Sequence, residues 1–277
     1  MTQQKIKILV ASHKPDTVYE DEVYTPIQVG RAVSKFKTEM AHMIGDDTGE
    51  NISEKNPFYC ELTAQYWAWK NLNTEYIGLC HYRRYFKKLI TIENVDSLFK
   101  NGTDVILAQP FVDEINTGTR LNLSTSMEDV QIFIDCIKKV SPDYYYTAFR
   151  FLSGNICFPY NMFIMKKDRF NDFAQWQFSI LKEMEKHVRL SGYSRQRRIY
   201  GYYGEILMGI YCIHHHLRLK FYPVIDMIGN YKSINFYKRI CGNFYRNIIY
   251  KLRLNKTFIF DAPAVRIGLK NDGINIC

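Results

Sequence analysis

Glu61–Phe86, E-L-T-A-Q-Y-W-A-W-K-N-L-N-T-E-Y-I-G-L-C-H-Y-R-R-Y-F, is the stretch whose reading decides the fold. Its first half has helical spacing. Phe58, Leu62, Tyr66, Trp69 and Leu72 recur at steps of three and four, with Asn56 as N-cap and Pro57 in the first turn. After the polar break Asn71–Asn73 comes a short apolar run, Tyr76–Cys80, of the kind buried in a sheet. It empties directly into His81-Tyr82-Arg83-Arg84-Tyr85. Ligands of open α/β sheets sit outside the carboxyl ends of strands, so cationic and aromatic side chains there read as a binding site. An arginine lying on a tyrosine ring in a solvated loop has the same composition, and that reading stands beside the first.

Outward from this stretch the chain alternates strands and helices. Ile6–Ala11 reads as a buried first strand ending in Ser12-His13-Lys14-Pro15, a loop that many nucleotide-sugar enzymes place near the nucleotide. Gly45–Ser53 (G-D-D-T-G-E-N-I-S) is rich in turn formers. Asp104–Gln109 is a further strand, and 111–124 a polar loop over the site. A capping box at Thr125-x-x-Glu128 opens a helix to Val140, and a second helix runs from Ser141-Pro142 to Leu152. Ile156–Met165 reads as one strand, Asp168–Val188 as a long helix, and Gly201–Ile213 as another.

At 277 residues, with 47% hydrophobic and 23% charged residues, the chain has the composition of a folded globular protein. Its net charge of +9 points to an anionic partner. The seven cysteines form no C-x-x-C pair, which predicts a reducing cytoplasm without a disulfide framework. Neither a signal peptide nor a transmembrane run is expected. Consecutive histidines on a helix point about 100° apart, so His214-His215-His216 reads as the cationic end of a helix and not as a metal site.

The run E-L-T-x-x-Y-W-x-W-K-N followed by Y-I-G-L-C-H-Y-R-R-Y-F resembles the signature of the DUF4422 family. So do Gly45–Ser53, N-M-F-I-M at Asn161–Met165, and G-Y-x-x-E at Gly201–Glu205; together the likeness covers residues 5–225. Members are found in bacterial capsule and lipopolysaccharide gene clusters and are regarded as glycosyltransferases. The resemblance implies an α/β, GT-A-like, single Rossmann-type domain over residues 1–226. It implies a hexosyltransferase taking a sugar, with galactose or galactofuranose the candidates, from a UDP-linked nucleotide-sugar donor to a lipid-linked or oligosaccharide acceptor. It also places the Gly45–Ser53 loop at the donor pocket, with Asn51 and Ser53 as hydrogen-bonding groups, and favours Glu205 over a mere helix-dipole role.

Such chemistry must stabilise a departing diphosphate, hold a sugar and, in an inverting enzyme, deprotonate the acceptor hydroxyl. Many GT-A enzymes neutralise the diphosphate with a manganese or magnesium ion on an Asp-x-Asp pair. The sequence contains no Asp-x-Asp, and no cofactor or metal ligand is assigned; Asp46 and Asp47 are the fallback ligands for a divalent cation. At the comparable place stand His81, Tyr82, Arg83 and Arg84, which are expected to meet the diphosphate with Ser12, His13, Arg197 and Arg198. Glu205 is the first candidate base, with Glu61 second. Trp67, Asn161 and Tyr202 are the candidates for the acceptor or sugar.

Residues 227–277 differ in kind. Between Met227 and Phe260 stand seven Lys/Arg and no Asp or Glu. Phe236, Ile240, Phe244, Ile248 and Leu252 repeat every four residues, widened by Tyr237, Cys241, Tyr245 and Ile249. A basic, aromatic helix of this type lies on an anionic membrane surface or packs its stripe on the domain. The first reading predicts a cytoplasmic protein held peripherally on the inner face of the membrane. Two alternatives are a nucleic-acid-binding module, against which the dispersed basic residues and absent motifs speak, and a non-catalytic membrane scaffold, which leaves His81–Arg84 without purpose.

Overall fold

The computed structural model describes residues 4–226, 236–253 and 262–276. Its strands in chain order are β1 (Gln4–Ser12), β2 (Tyr24–Gln28), β3 (Ile44–Gly45), β4 (Thr74–His81), β5 (Arg84–Phe86), β6 (Val105–Ala108), β7 (Phe111–Val112), β8 (Ile156–Cys157), β9 (Phe163–Lys166), β10 (Leu219–Tyr222) and β11 (Val224–Asp226). Nine of them form one sheet with the main path β10-β6-β9-β4-β1-β2-β3, while β5 joins β4 to β11; β7 and β8 pair as a separate ribbon. The pairs β1–β4, β1–β2, β2–β3 and β6–β10 are parallel, and β9 runs antiparallel between β4 and β6. This is the α/β architecture expected from the sequence.

Both faces of the sheet are buried, which is why its strands read as continuous apolar runs. Along β1, Leu9 and Ala11 face one core and Ile6, Ile8 and Val10 the other, the period of two that a strand imposes. The first core is covered by helices Leu62–Asn71, Met127–Val140, Lys167–Met184 and Ile199–His214. The second is covered by Ile92–Phe99.

Several local expectations are corrected. The single helix read through Asn56–Leu72 is two: Asn56–Tyr59, a break at Cys60 (φ 53°, ψ −132°), and Leu62–Asn71. Asn56 is not the N-cap. Its Nδ2 donates to the Cys60 carbonyl (2.7 Å) and to Thr63 Oγ1 (3.2 Å), so the side chain splints the break. The Leu62–Asn71 helix is covered on more than one side: Trp67 and Gln65 are buried as well as Leu62. The capping box lies one residue later than read, with Ser126 Oγ accepting from Asp129 N–H and Asp129 Oδ2 accepting from Ser126 N–H. Residues 111–124 are not a bare loop but hold β7 and the helix Thr117–Asn122.

Ile156–Met165 is not one strand. It is β8 and β9 separated by a turn at Pro159–Asn161, in which Tyr160 (φ 77°) and Asn161 (φ 50°) both occupy left-handed conformations. Each such residue costs about 1–3 kcal/mol and persists only where its surroundings hold it. What holds this pair is the site described below.

The C-terminal helix Phe236–Leu252 forms as expected, but it is inverted with respect to the body. Its polar residues face inward. Arg239 donates to the Gln109 carbonyl (2.7 Å), Asn243 to the Pro110 carbonyl (3.1 Å), Arg246 Nε to the Val112 carbonyl (2.6 Å) and Tyr250 to the Ser153 carbonyl (2.5 Å). Its apolar side faces solvent: Tyr237 and Leu252 are each 75% exposed and Phe244 68%. The helix Pro263–Asn271 packs on Met127–Val140, with Arg266 on Asp135 and Leu269 buried. The parts of the basic segment that include Lys232 and Lys256 lie outside the described residues.

Candidate active site

A cleft of about 450 Å³ opens at the carboxyl ends of β1 and β4. His13 comes from the end of β1; His81, Tyr82, Arg83 and Arg84 come from the end of β4 and the turn into β5. Cys60 and Glu61 enter from the helix break, and Arg198 from the start of Ile199–His214. The break at Cys60 thus has a consequence: it swings Glu61 out of helical register into the cleft. Arg198 Nε donates to Cys60 Sγ (3.2 Å). Arg83 grips Asp16 with Nε (3.0 Å) and Nη2 (2.8 Å), which holds the Asp16 carboxyl below its usual range, and its guanidinium lies over the Tyr82 ring. The His13 imidazole meets Tyr82 edge-on. Loss of solvent, then Lys14, Arg198, Arg83 and His81, push the His13 pKa down. The cleft therefore gathers positive charge with a single lining carboxylate, Glu61.

Behind the cleft lining, as a wall bonded to His81, Arg84 and Glu61, stands the Tyr160–Asn161 turn, and its strain is balanced from four sides. His81 Nε2–H donates to the Tyr160 carbonyl (2.6 Å), which fixes the tautomer because a carbonyl can only accept. Arg84 lies over the Tyr160 ring at 4.5 Å. Tyr160 N–H donates to Glu205 Oε1 (3.1 Å), and Asn161 Nδ2 donates to Glu61 Oε1 (2.7 Å) and to the Gly201 carbonyl (3.1 Å). Asn tolerates the left-handed region better than most residues, which suits it to this position. Gly204 lets the helix carrying Glu205 come close: a Cβ there would stand 2.8 Å from Leu62 and 3.0 Å from Asn161 Oδ1. An Asn161→Ala substitution is expected to cost about 1–3 kcal/mol, since it removes the donor that Asn161 gives the Glu61 carboxylate and puts alanine in a left-handed conformation. Urea unfolding of the variant measures this.

Glu205 stands on the far side of that wall, in a second and larger cavity of about 930 Å³. Phe111, Phe158, Tyr160, Tyr202 and Ile206 give it apolar walls, and Arg239, Tyr245 and Arg246 of the inverted helix close it. Burial, and next the Glu61 charge, push the Glu205 carboxyl up to about 8; the Tyr160 N–H, Arg198 and Arg84 oppose this without cancelling it. A carboxylate so placed is a stronger base than an exposed one and titrates near neutrality.

The structure brings together His13, His81, Tyr82, Arg83, Arg84, Arg198 and Glu61 in the cleft, with Asn161 behind it as the donor to Glu61, and Glu205 and Tyr202 in the adjoining cavity. Other sequence candidates stand elsewhere. The Ser12 hydroxyl is buried and donates to the Lys14 carbonyl (2.9 Å). Asn51 and Ser53 organise their own loop: Asn51 Oδ1 accepts from Ser53 N–H, and the Ser53 hydroxyl bonds Asp46. Asp46 also accepts from the Gly30 and Arg31 N–H groups, so its oxygens are taken up by the fold. Trp67 is buried and donates to Thr48 Oγ1 (2.9 Å). Of the loop arginines, Arg189 pairs with Asp272, Arg195 donates to the Leu123 carbonyl and Arg197 to the Gly192 carbonyl; Arg198 alone of the four lines the cleft. The histidine triplet packs at its helix end against Tyr144, which stacks on His214 and bonds His215. Among the described residues no group of three or more His, Cys, Asp or Glu is placed to hold a metal ion.

Sequence reasoning missed Asp16, Cys60 and Tyr160. The Pro159-Tyr160-Asn161 triplet carried a signal, because Pro followed by a residue and Asn marks a turn inside an otherwise strand-like run.

No curated protein matches the chain. Among solved structures, the apo form of the WbbM bifunctional glycosyltransferase is similar, with 27% identity and a TM-score of 0.69 over 83% of this chain. The match covers 46% of that structure's chain, so this protein spans about half the length of its neighbour. The family model described as a domain of unknown function, DUF4422, matches residues 7–216, and the chain belongs to that family.

Proposed function

We propose that the protein is a glycosyltransferase that moves a hexose, with galactose or galactofuranose the first candidates, from a UDP-linked donor to a lipid-linked or oligosaccharide acceptor of a bacterial surface polysaccharide. The observation that carries this reading is a pair of neighbouring cavities tied together through the Tyr160–Asn161 turn, which His81, Arg84 and Glu61 hold from the cleft and Glu205 from the cavity. A cationic cleft fit for a diphosphate lies on one side of Tyr160–Asn161, and a carboxylate raised to about 8 lies on the other. The likeness to a glycosyltransferase structure agrees with it.

In this reading Arg83, Arg84, Arg198, His13 and His81 hold the diphosphate, and the charge of the three arginines takes up the electron pair that leaves with it when the sugar C1–O bond breaks. Glu205 accepts the proton of the acceptor hydroxyl as the new C1–O bond forms. Glu61, fixed by Asn161, faces a sugar hydroxyl. A manganese or magnesium ion asks for several oxygen ligands. The cleft lining offers one carboxylate among cations, so the residues do not fit such an ion and no step is assigned to it. Incubation with UDP-, GDP- and CMP-linked sugars, with release of free nucleotide as the readout, tests the reading. Release from one nucleotide class is expected; no release from any would remove it.

The outward apolar face of Phe236–Leu252 fits a peripheral place on an anionic membrane, with Lys238 and Lys251 exposed beside it. No helix among the described residues is long and apolar enough to cross a bilayer. Co-sedimentation with vesicles containing anionic lipid is expected to fall at least tenfold in a Tyr237→Ser/Phe244→Ser/Leu252→Ser variant. Equal sedimentation of variant and parent would contradict the membrane role.

A further inference from the structure

We infer that the larger cavity seats the lipid of the acceptor: a single aliphatic chain ending in phosphate, whose attached sugar is delivered to Glu205. The inference deepens the transferase reading and rests on it. It makes the C-terminal helix a wall of the substrate site and not an appendage.

Four observations carry it. First, the chemistry of the walls is wrong for a sugar alone: Phe111, Leu121, Phe158 and Ile206 present carbon, and a volume of about 930 Å³ stands near the upper end of the range for small-molecule pockets, ~300–1,000 Å³. Second, the cavity is cationic where the helix closes it. Arg239 and Arg246 reach neutral partners, the Gln109 and Val112 carbonyls and the Asn243 side chain. These contacts place the two guanidinium groups at the cavity through neutral acceptors among the described residues, which suits a phosphate at the head of an apolar chain.

Third, the cavity lining reaches the apolar side of the helix. Tyr245 and Cys241 line it and are also exposed, and Tyr245 stands among the outward Tyr237, Phe244 and Ile248. A chain leaving a bilayer on which this face rests enters the cavity without crossing water. Fourth, the cavity adjoins the cationic cleft. Glu205 and Tyr160 line it, and the opposite side of the Tyr160 turn belongs to the cationic cleft through His81 and Arg84. The inversion of the helix follows from the same arrangement. Its arginines and asparagine are needed inward, for the β7 carbonyls and the ligand, and its apolar residues are left to face the lipid.

The test is calorimetric titration of farnesyl phosphate, a single-chain lipid phosphate, below its micelle concentration and with inorganic pyrophosphate present to occupy the cationic cleft. Binding to the wild-type protein is expected, with farnesol at least tenfold weaker. Cys241→Trp fills the cavity from the exposed helix side and Ser124→Trp from the Thr117–Asn122 side. Each should raise Kd at least tenfold while melting within a few degrees of the parent, and two variants guard against one that misfolds. No binding to the wild type, unchanged Kd in both tryptophan variants, or displacement by pyrophosphate would overturn the assignment. Nucleotide release from a nucleotide-sugar without lipid judges the transferase reading separately. Its failure with lipid binding intact would remove the sugar chemistry and leave the cavity's ligand in place.

Discussion

Glu205→Gln is expected to lower sugar transfer by roughly a hundred- to ten-thousand-fold, the range for removing a general base, while nucleotide binding stays near the parent value. The amide keeps the shape and can still accept the Tyr160 N–H, so the turn survives; what is lost is the capacity to take a proton. The pH profile supplies a second signature. With the carboxyl pushed up to about 8, the parent's kcat/KM should rise about tenfold per pH unit below that value and level above it. Stability moves the other way. The folded-state pKa lies above that of an unfolded glutamate, so folding favours the protonated form. The associated stability is full below about pH 4.5 and is lost as pH rises through about 8. Glu205→Gln should remove that slope and melt higher than the parent at pH 9. Near-normal turnover in the variant would exclude the base role, and an unchanged alkaline slope would show that another group is responsible.

Arg84→Ala carries the second-largest expected effect, a loss of about 100-fold in kcat/KM, in line with the ~1.5–3 kcal/mol of a hydrogen bond to a charged group. Arg84 lines the cleft and also lies on the Tyr160 ring, so its removal takes charge from the diphosphate and support from the wall. Arg84→Lys separates these roles. A lysine restores the charge but not the flat guanidinium stacked on the ring. Partial recovery of nucleotide affinity with poor turnover is the expected pattern, read from steady-state kinetics beside a direct binding measurement. Arg83 is predicted to matter less, because Asp16 already grips its guanidinium in the free protein.

The sheet and the edge that carries the candidate cleft were legible in the sequence because strands buried on both faces announce themselves. Tyr76–Cys80 and Ile6–Ala11 are apolar runs that end in polar clusters, and those clusters lie together because β1 and β4 are parallel neighbours. What the sequence hid was local geometry set from a distance. The break at Cys60 interrupts a faultless helical spacing, and it is held by Asn56, a residue that looks like an ordinary cap. The Tyr160 turn interrupts an apolar run that would serve equally as a strand. It is held by His81, Arg84 and Glu205, which lie between 45 and 79 residues away in the chain. The Gly45–Ser53 loop misled in the opposite sense. Its Asp46 and Ser53 resemble ligand groups, yet they bond one another and the backbone. The Phe236–Leu252 helix was legible as amphipathic, but periodicity says that a helix has two faces and not which one the body takes. Gln109, Pro110 and Val112 settle that, because their carbonyls accept from Arg239, Asn243 and Arg246 and so turn the polar face inward.

The central claim is that side chains of this protein hold a nucleoside diphosphate at the carboxyl ends of β1 and β4. Calorimetric titration of UDP, GDP and CMP into the parent and into Arg84→Ala, each with EDTA and again with manganese, tests it most directly. The account predicts one nucleotide that binds the parent equally well with EDTA or manganese and binds Arg84→Ala at least tenfold more weakly. Binding that appears only with manganese, or that is indifferent to Arg84, would contradict it.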